Sequence, residues 1–511
     1  MTARRLIKGC VASLFLVLSA SAPAASTAAA LAERIDGLLR EAHVPGAAVA
    51  LVKDGQVLMA RGFGQRDALT PGAAAGPRTL FKLGSLSKAF TALAVAQAVD
   101  EGRLAWDAPI GSVWPALQDA DPRVAALTLR QLLSHQTGLD LDRLEVLLWP
   151  QPNAYSAPQL LAGVAALRDD PRRVTGFHYS NVHYALAGAV LAQAVQQPFG
   201  ERLSQRVFQP LGLDCTAGGF DRRHRPDLAQ PHHVQQGRAT PVRTDPDRID
   251  DALDGPPGGV RCSAQGLARW LQFHLDPQRA RGVLSAAQWQ TLHRPLDVVS
   301  TRFAADGTLD TVQTYGLGLQ FVADTRGLRI DHFGGLAGVS AYLAVWPGRR
   351  AGLAVALNAD DAATRGRIVA LLEDALGLPP PTPRRPAGDA APQALPALGS
   401  LDPAPWAGRY RDPWFGDVLL CPENDQLVWR SLSSPRLIGP VGTTADGRPH
   451  LRWNDRSVGA DAWLRWMPGT GGAQALTLDA VPGADFDFSA LRLVRVADCP
   501  QPPDAASRPQ R

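Results

Sequence analysis

Apolar residues recur along this chain with two different periods. Near the start, Ala47 to Val52 is a continuous apolar run, Lys53-Asp54-Gly55-Gln56 follows, and Val57 to Ala60 is apolar again. Asp-Gly between two apolar runs predicts a hairpin, because the tight turn needs the positive φ that glycine adopts without strain. Lys53 falls in that turn and is expected to be solvated. A helix is expected just before, over Ala30–Glu41. From Ser85 onward the period becomes helical: Ala89, Ala92, Leu93, Ala96 and Val99 form one stripe, and Gly102 stops it. Ala341 to Val345 and Gly352 to Leu357 predict two more strands around Pro347-Gly348, and a helix over Thr364–Leu376 follows. Strands near both ends with helices between them predict one sheet that joins the two ends, with a helical region inserted.

The pattern breaks over residues 379–405, which hold nine prolines from Pro379 to Pro405. That composition favours extended chain over packed structure and sets a domain boundary. Residues 25–378 form the larger unit and residues 406–498 a smaller one, with a tail over 499–511. In the smaller unit Val418-Leu419-Leu420, Leu427-Val428-Trp429, His450 to Trp453, Trp463 to Trp466 and Leu491 to Val496 read as short strands separated by turn residues, which suits a small all-β sheet or barrel. Its tryptophans are read as core. The fold class is therefore α/β of the α+β kind, an antiparallel sheet flanked by helices with a helical subdomain, plus a small C-terminal all-β domain.

Composition narrows the function. The 511 residues carry 52 basic and 48 acidic groups, a net charge of +4, and no basic stripe, so a nucleic-acid partner is not expected. Arg4, Arg5 and Lys8, the short apolar run Val11–Leu18 and Ala22-Pro23-Ala24 form a secretory signal over residues 1–24, too short to span a bilayer. A periplasmic or secreted protein is expected, with no stable membrane insertion once the signal is removed. Export permits disulfides among Cys215, Cys262, Cys421 and Cys499; three pairings are possible, and the domain split favours Cys215–Cys262 with Cys421–Cys499, while free buried thiols remain open. His178, His183, His232 and His233 lack metal-site spacing, and no phosphate loop, dinucleotide fingerprint or G-x-S-x-G elbow occurs, so no metal or cofactor is expected.

Lysine occurs only at Lys8, Lys53, Lys82 and Lys88; arginine supplies every other basic group. A site that needs a deprotonated amine cannot use arginine. Lys88 stands three residues after Ser85, so both side chains share one face at the start of the predicted helix. A helix N-terminus favours a developing alkoxide, and a buried lysine loses its proton readily enough to accept one from serine. Ser87 is the competing nucleophile, but it points to another face. Two further segments stand out: Phe177-His178-Tyr179-Ser180-Asn181 and Asp331-His332-Phe333-Gly334-Gly335.

Ser85-Leu86-Ser87-Lys88, Tyr179-Ser180-Asn181 and His332-Phe333-Gly334 resemble, in order, the three motifs of the penicillin-recognising serine hydrolases, closest to class C β-lactamases and their esterase and D-aminopeptidase relatives. Gln131 to Leu139, Pro210 to Leu213, Gly258-Gly259-Val260 and Tyr315 to Gly318 look similar too, and the resemblance covers roughly residues 31–378. It implies a β-lactamase/transpeptidase-like fold. It implies that Ser85 is acylated, that Lys88 and Tyr179 share the proton work with Tyr179 as general base, and that Asn181 orients Lys88 and contacts substrate. The backbone N–H groups of Ser85 and Gly335 would form the oxyanion hole, with Gly334 and Gly335 leaving room for substrate. β-Lactamases place a lysine where this chain has His332; a neutral histidine supplies a hydrogen bond instead of a fixed charge, which resembles the H-x-G pattern of the esterases and D-aminopeptidases. Trp406 to Asp417 and Asp485 to Phe488 resemble the lipocalin-like domain appended to many such hydrolases. The expected function is a serine hydrolase cleaving an ester or an amide or peptide carbonyl of a small-molecule or peptide substrate. The alternatives are a true β-lactamase or DD-peptidase, and a non-catalytic penicillin-binding-like sensor or binding protein.

Overall fold

The computed structural model describes residues 22–70, 72–242, 248–249, 252–304, 306–379, 397–424, 426–468, 474–484 and 486–500. Residues 1–21 of the expected signal, 380–396 of the Pro-rich stretch and 501–511 of the tail lie outside them.

One antiparallel sheet of eight strands organises the larger unit. Its order is Asp297–Phe303, Leu309–Tyr315, Gln320–Asp324, Gly327–Leu336, Val339–Trp346, Ala351–Leu357, Gly46–Lys53 and Gln56–Gly64. The sheet does join the two ends of the unit: Ala47 pairs with Leu357 and Lys53 with Ala351. Asp54 and Gly55 make the predicted turn, with φ of 50° and 79°. Lys53 is not in it; it closes the strand opposite Gln56 and donates to the Leu376 carbonyl.

The apolar run Ala47–Val52 is continuous because both faces of the sheet are covered. Val49, Leu51, Leu353 and Val355 face the helices Ala22–Glu41 and Ala362–Ala375, where Ile35, Leu39, Ile368 and Leu372 meet them. Ala48, Ala50, Ala354 and Ala356 face the helical region. Alanine there lets the helix Ala264–Leu275 approach closely, and its Trp270 stacks on Phe90 of the helix Ser87–Asp100 at 4.1 Å. That helix was expected to bury one stripe. Instead every residue from Ser87 to Ala98 is buried, so it is the centre of the helical region rather than a surface element.

The C-terminal unit is a closed barrel of eight strands, from Gly408–Asp412 to Leu493–Ala497. Trp414, Trp429 and Trp453 lie in its core. The strand Ile438–Thr443 escaped the hydrophobic pattern because it reads Ile-Gly-Pro-Val-Gly-Thr. Gly439 is needed there, since a Cβ would meet the Arg452 carbonyl oxygen at 1.9 Å. Disulfides join Cys215 to Cys262 and Cys421 to Cys499, one in each unit. The second closes a separation of 78 residues around the barrel. Replacing Cys421 and Cys499 with alanine is expected to lower barrel stability by about 2–4 kcal/mol, read as a drop in the guanidinium midpoint of the barrel's transition. Among the described residues no helix is long and apolar enough to cross a membrane.

Candidate active site

Ser85 sits in a single 3₁₀ turn, Gly84–Leu86, that feeds the helix Ser87–Asp100, rather than inside the α-helix itself. The turn keeps the three-residue spacing useful, and Lys88 Nζ lies 3.0 Å from Ser85 Oγ. Ser87, the rival hydroxyl, is buried and accepts from the Val260 N–H at 3.0 Å, so its role is to hold the Gly255–Gly259 segment. Tyr179 arrives on an extended segment before the helix Asn181–Val195, and its hydroxyl donates to Ser85 Oγ at 2.8 Å. Asn181 opens that helix, and its Oδ1 accepts from Lys88 Nζ at 2.7 Å.

Lys88 is fully buried, and burial holds its amine at about 7, far below lysine's usual range, while the Glu145 carboxylate pulls it back up. A neutral amine has two N–H donors and one lone pair. Asn181 Oδ1 and the Pro257 carbonyl, at 3.2 Å, take the two donors. The lone pair is then left for the Ser85 hydroxyl. Tyr179 goes the other way: burial raises its phenol above the ordinary range. In this geometry the Lys88 amine gives up its proton more readily than the Tyr179 phenol.

The Gly327–Leu336 strand passes beside this turn. The Gln320–Asp324 strand pairs with it only as far as Asp331, so among the described residues one edge from His332 to Leu336 has no strand partner, and it lies against the Gly84–Ser85 turn. The approach is close. A Cβ at Gly334 would lie 2.0 Å from the Leu83 carbonyl oxygen and 3.2 Å from Ser85 N, and one at Gly84, whose φ is +54°, would lie 3.0 Å from Gly335 N. Ser85 N and Gly335 N thus come to one place. Gly334 must lack a side chain because of the chain behind it, whereas a Cβ at Gly335 would meet nothing within 4 Å.

His332 is buried, with its ring 6.3 Å from that of Tyr179. Its Nδ1 lies 2.7 Å from the Phe333 carbonyl and must donate to it, so Nε2 accepts from Tyr315 Oη at 3.1 Å. Burial, with Lys88 nearby, lowers its pKa to about 3. It is neutral, and both nitrogens are used by the protein. The structure brings Ser85, Lys88, Tyr179 and Asn181 into one hydrogen-bonded cluster with Gly334 and Gly335 alongside, and sets His332 behind them.

Two supports were missed in the sequence. Glu145 is half-buried at the edge of the cleft, and its carboxylate accepts from the Asn181 backbone N–H at 2.8 Å and from Asn181 Nδ2 at 3.1 Å. It caps the helix that carries Asn181 and fixes the amide so that Oδ1 turns to Lys88. The faint signal was an acid set directly among Leu144, Val146, Leu147 and Leu148. His135, in the left-handed region at φ 60°, packs its ring 4.5 Å from that of Tyr179 and meets His183 Nδ1 at 3.2 Å. Burial lowers the pKa of both histidines, so they act as neutral packing groups. We expect Glu145→Gln, which keeps shape and weakens the cap, to cost about 1 kcal/mol in urea unfolding. Among the described residues the one three-group cluster spaced for a cation, Asp140, Asp142 and His178, is part-exposed, with His178 already on Asp142 at 2.8 Å.

Comparison with known proteins places the fold. The beta-lactamase family model matches residues 31–400. The chain is 30% identical over 403 residues to "Penicillin-binding protein 4" of Amycolatopsis lactamdurans, covering 74% of this chain and 96% of that one. It is 26% identical over 244 residues to "Protein flp" of Staphylococcus aureus, covering 47% of each. Among solved structures, the octameric penicillin-binding protein homologue from Pyrococcus abyssi matches with a TM-score of 0.56 at 21% identity, over 91% of this chain and 99% of that one. The D-alanine carboxypeptidase AmpC from Burkholderia cenocepacia matches with a TM-score of 0.52 at 22% identity, over 69% of this chain and 99% of that one, and both likenesses speak for the fold. With the eight-stranded sheet, the inserted helices and a family match over most of its length, this chain belongs to the beta-lactamase family.

Proposed function

We propose that this protein is an exported serine hydrolase that cleaves an ester or amide carbonyl through an acyl-enzyme at Ser85, in the manner of the esterase and D-aminopeptidase branch of its family. One observation carries the reading: Ser85 Oγ lies 3.0 Å from a buried lysine amine and 2.8 Å from a tyrosine hydroxyl. A binding protein has no need of a nucleophile paired with a base. Lys88 takes the Ser85 proton as Oγ attacks the carbonyl carbon. The carbonyl oxygen gains charge, and the N–H groups of Ser85 and Gly335 stabilise it. The leaving group departs with a proton passed from Lys88 through Tyr179. Water then attacks the acyl carbon, gives its proton to the same relay and frees Ser85.

A second reading follows from the relative named as a penicillin-binding protein: penicillin acylates Ser85. Against rapid β-lactam turnover stands His332, which is neutral and engaged by Tyr315 and Phe333, so it offers no cation for a substrate carboxylate. Incubation with a fluorophosphonate and with a penicillin, followed by mass spectrometry, tests both readings. An adduct on Ser85 is expected with the fluorophosphonate. Assays on p-nitrophenyl esters, D-alanyl amides and nitrocefin then rank the substrates, with nitrocefin expected last. No adduct from either probe would overturn the hydrolase reading.

A further inference from the structure

Every second connection of an up-and-down barrel emerges at the same end. Here that end faces the hydrolase unit. Its first connection carries Trp414 and Phe415: the Tyr155 hydroxyl donates to the Phe415 carbonyl at 3.1 Å, and Trp414 packs against Gly163. The other three connections, between Ser431 and Ile438, Leu451 and Ala462, and Ala480 and Leu493, carry Arg436, Ser457 with Val458, and Phe486. These four side chains line a cavity of about 380 Å³ whose opposite wall includes Glu145, Asn181 and Gly335 of the Ser85 site.

The contact is built from buried and charged groups. The Arg436 guanidinium donates to Asp455 at 2.7 Å, to Ser457 Oγ at 2.6 Å and to the Gln151 carbonyl at 2.8 Å, tying two barrel loops to the Trp149–Gln151 side of the cavity. Arg172 bridges to Asp487, next to Phe486, at 2.7 Å. A second cavity, of about 460 Å³, also has Ser457, Leu336 and Ala337 in its lining. The 455–457 loop therefore overlies the turn that directly follows Gly335, with open space on either side of it.

We propose that the barrel is the outer wall of the substrate cleft and that Phe486 and Val458 set the size of the group accepted beside Ser85, restricting the enzyme to small esters or amides with a compact acyl group. This rests on the hydrolase reading above. The cavity is near the lower end of the ~300–1,000 Å³ typical of small-molecule sites. A long chain or polymer strand running past Gly335 meets the barrel loops. Trp149, Leu336, Val458 and Phe486 give the cavity an apolar part, and Lys82, Glu145 and Arg436 a charged one. It suits an acyl group with an apolar body and one polar substituent.

The test compares wild type, Phe486→Ala and Phe486→Trp on p-nitrophenyl esters from acetate to octanoate. The ratio of kcat/KM for octanoate to that for acetate is expected to rise about tenfold or more in Phe486→Ala and to fall in Phe486→Trp. A measurement without turnover accompanies it. In a Cys10→Ala background, Ala337→Cys introduces a thiol beside the cleft, with Cys215, Cys262, Cys421 and Cys499 held in disulfides. Its alkylation by fluorescein maleimide relative to iodoacetamide is expected to speed up when Phe486→Ala is added. If both ratios stay within twofold of wild type in all variants, the barrel is not the wall and the proposal falls. If the thiol ratio moves but neither probe labels Ser85, the wall stands and the hydrolase reading falls.

Discussion

In the Ser85→Ala variant, hydrolysis of whatever ester or amide the wild type turns over is expected to fall by roughly 10⁴- to 10⁶-fold, the scale on which serine hydrolases lose rate with their nucleophile. The reason is local. Ser85 Oγ is the shared partner of Lys88 Nζ and Tyr179 Oη, and its rival Ser87 is engaged with Val260 on another face. Ser457, the other hydroxyl named in the cavity lining, is held by the Asp455 carboxylate on the barrel side, away from Lys88 and Tyr179. The variant should fold, because losing one small, half-buried hydroxyl leaves the packing of Leu83 and Leu86 in place. Far-UV circular dichroism and the urea midpoint should match wild type while labelling by fluorophosphonate disappears. Turnover within tenfold of wild type would remove Ser85 from the mechanism.

Lys88→Arg is expected to cost about 10²- to 10⁴-fold in kcat/KM, the range supplied by a positioned general base. Arginine keeps the positive charge but cannot give up its proton, so the substitution separates a base from a fixed cation. The wild-type pH profile should agree. A base must be unprotonated to act, and burial holds Lys88 at about 7, so kcat/KM on an uncharged ester should fall as pH drops through that value and level off above it. The groups around the amine include Ser85, Glu145, Asn181, Tyr179, Tyr184, the Pro257 carbonyl and the histidines His135, His183 and His332. Of these Glu145 pulls the Lys88 value up. Glu145→Gln should therefore move the acidic limb to lower pH. A limb that stays in place in Glu145→Gln, together with an active Lys88→Arg, would exclude Lys88 as the base.

Much of this arrangement could be read along the chain, and the limits are instructive. The Ser85–Lys88 spacing was legible because three residues of helical chain bring side chains to one face, and the 3₁₀ turn found there preserves that relation. Tyr179 and Asn181 were legible as a motif, yet their distance to Lys88 is a tertiary fact. Glu145 carried no motif, since its work is to accept two bonds from a residue 36 positions away. The opposite pKa shifts of Lys88 and Tyr179 were hidden for a similar reason. Phenol and amine shift according to burial, and no local pattern says that both lie beneath the cleft, one pushed up and the other down. The strand Ile438–Thr443 hid behind its glycines and proline because it is shaped by the backbone that packs against it.

By itself, then, the order of residues determined the hairpin at Asp54-Gly55, the two-ended sheet, the helix that follows Ser85 and the all-β character of the C-terminal unit. Each of these depends on periodicity or turn chemistry within a short stretch of chain. Only the tertiary structure decided which amine has its pKa lowered by burial, what His332 bonds to, and that one rim of the barrel meets the cleft beside Ser85. Those depend on desolvation and on contacts between separate elements, whether the Tyr315–His332 pair on neighbouring parts of the sheet or the barrel loops against Gly335, and no local periodicity records them.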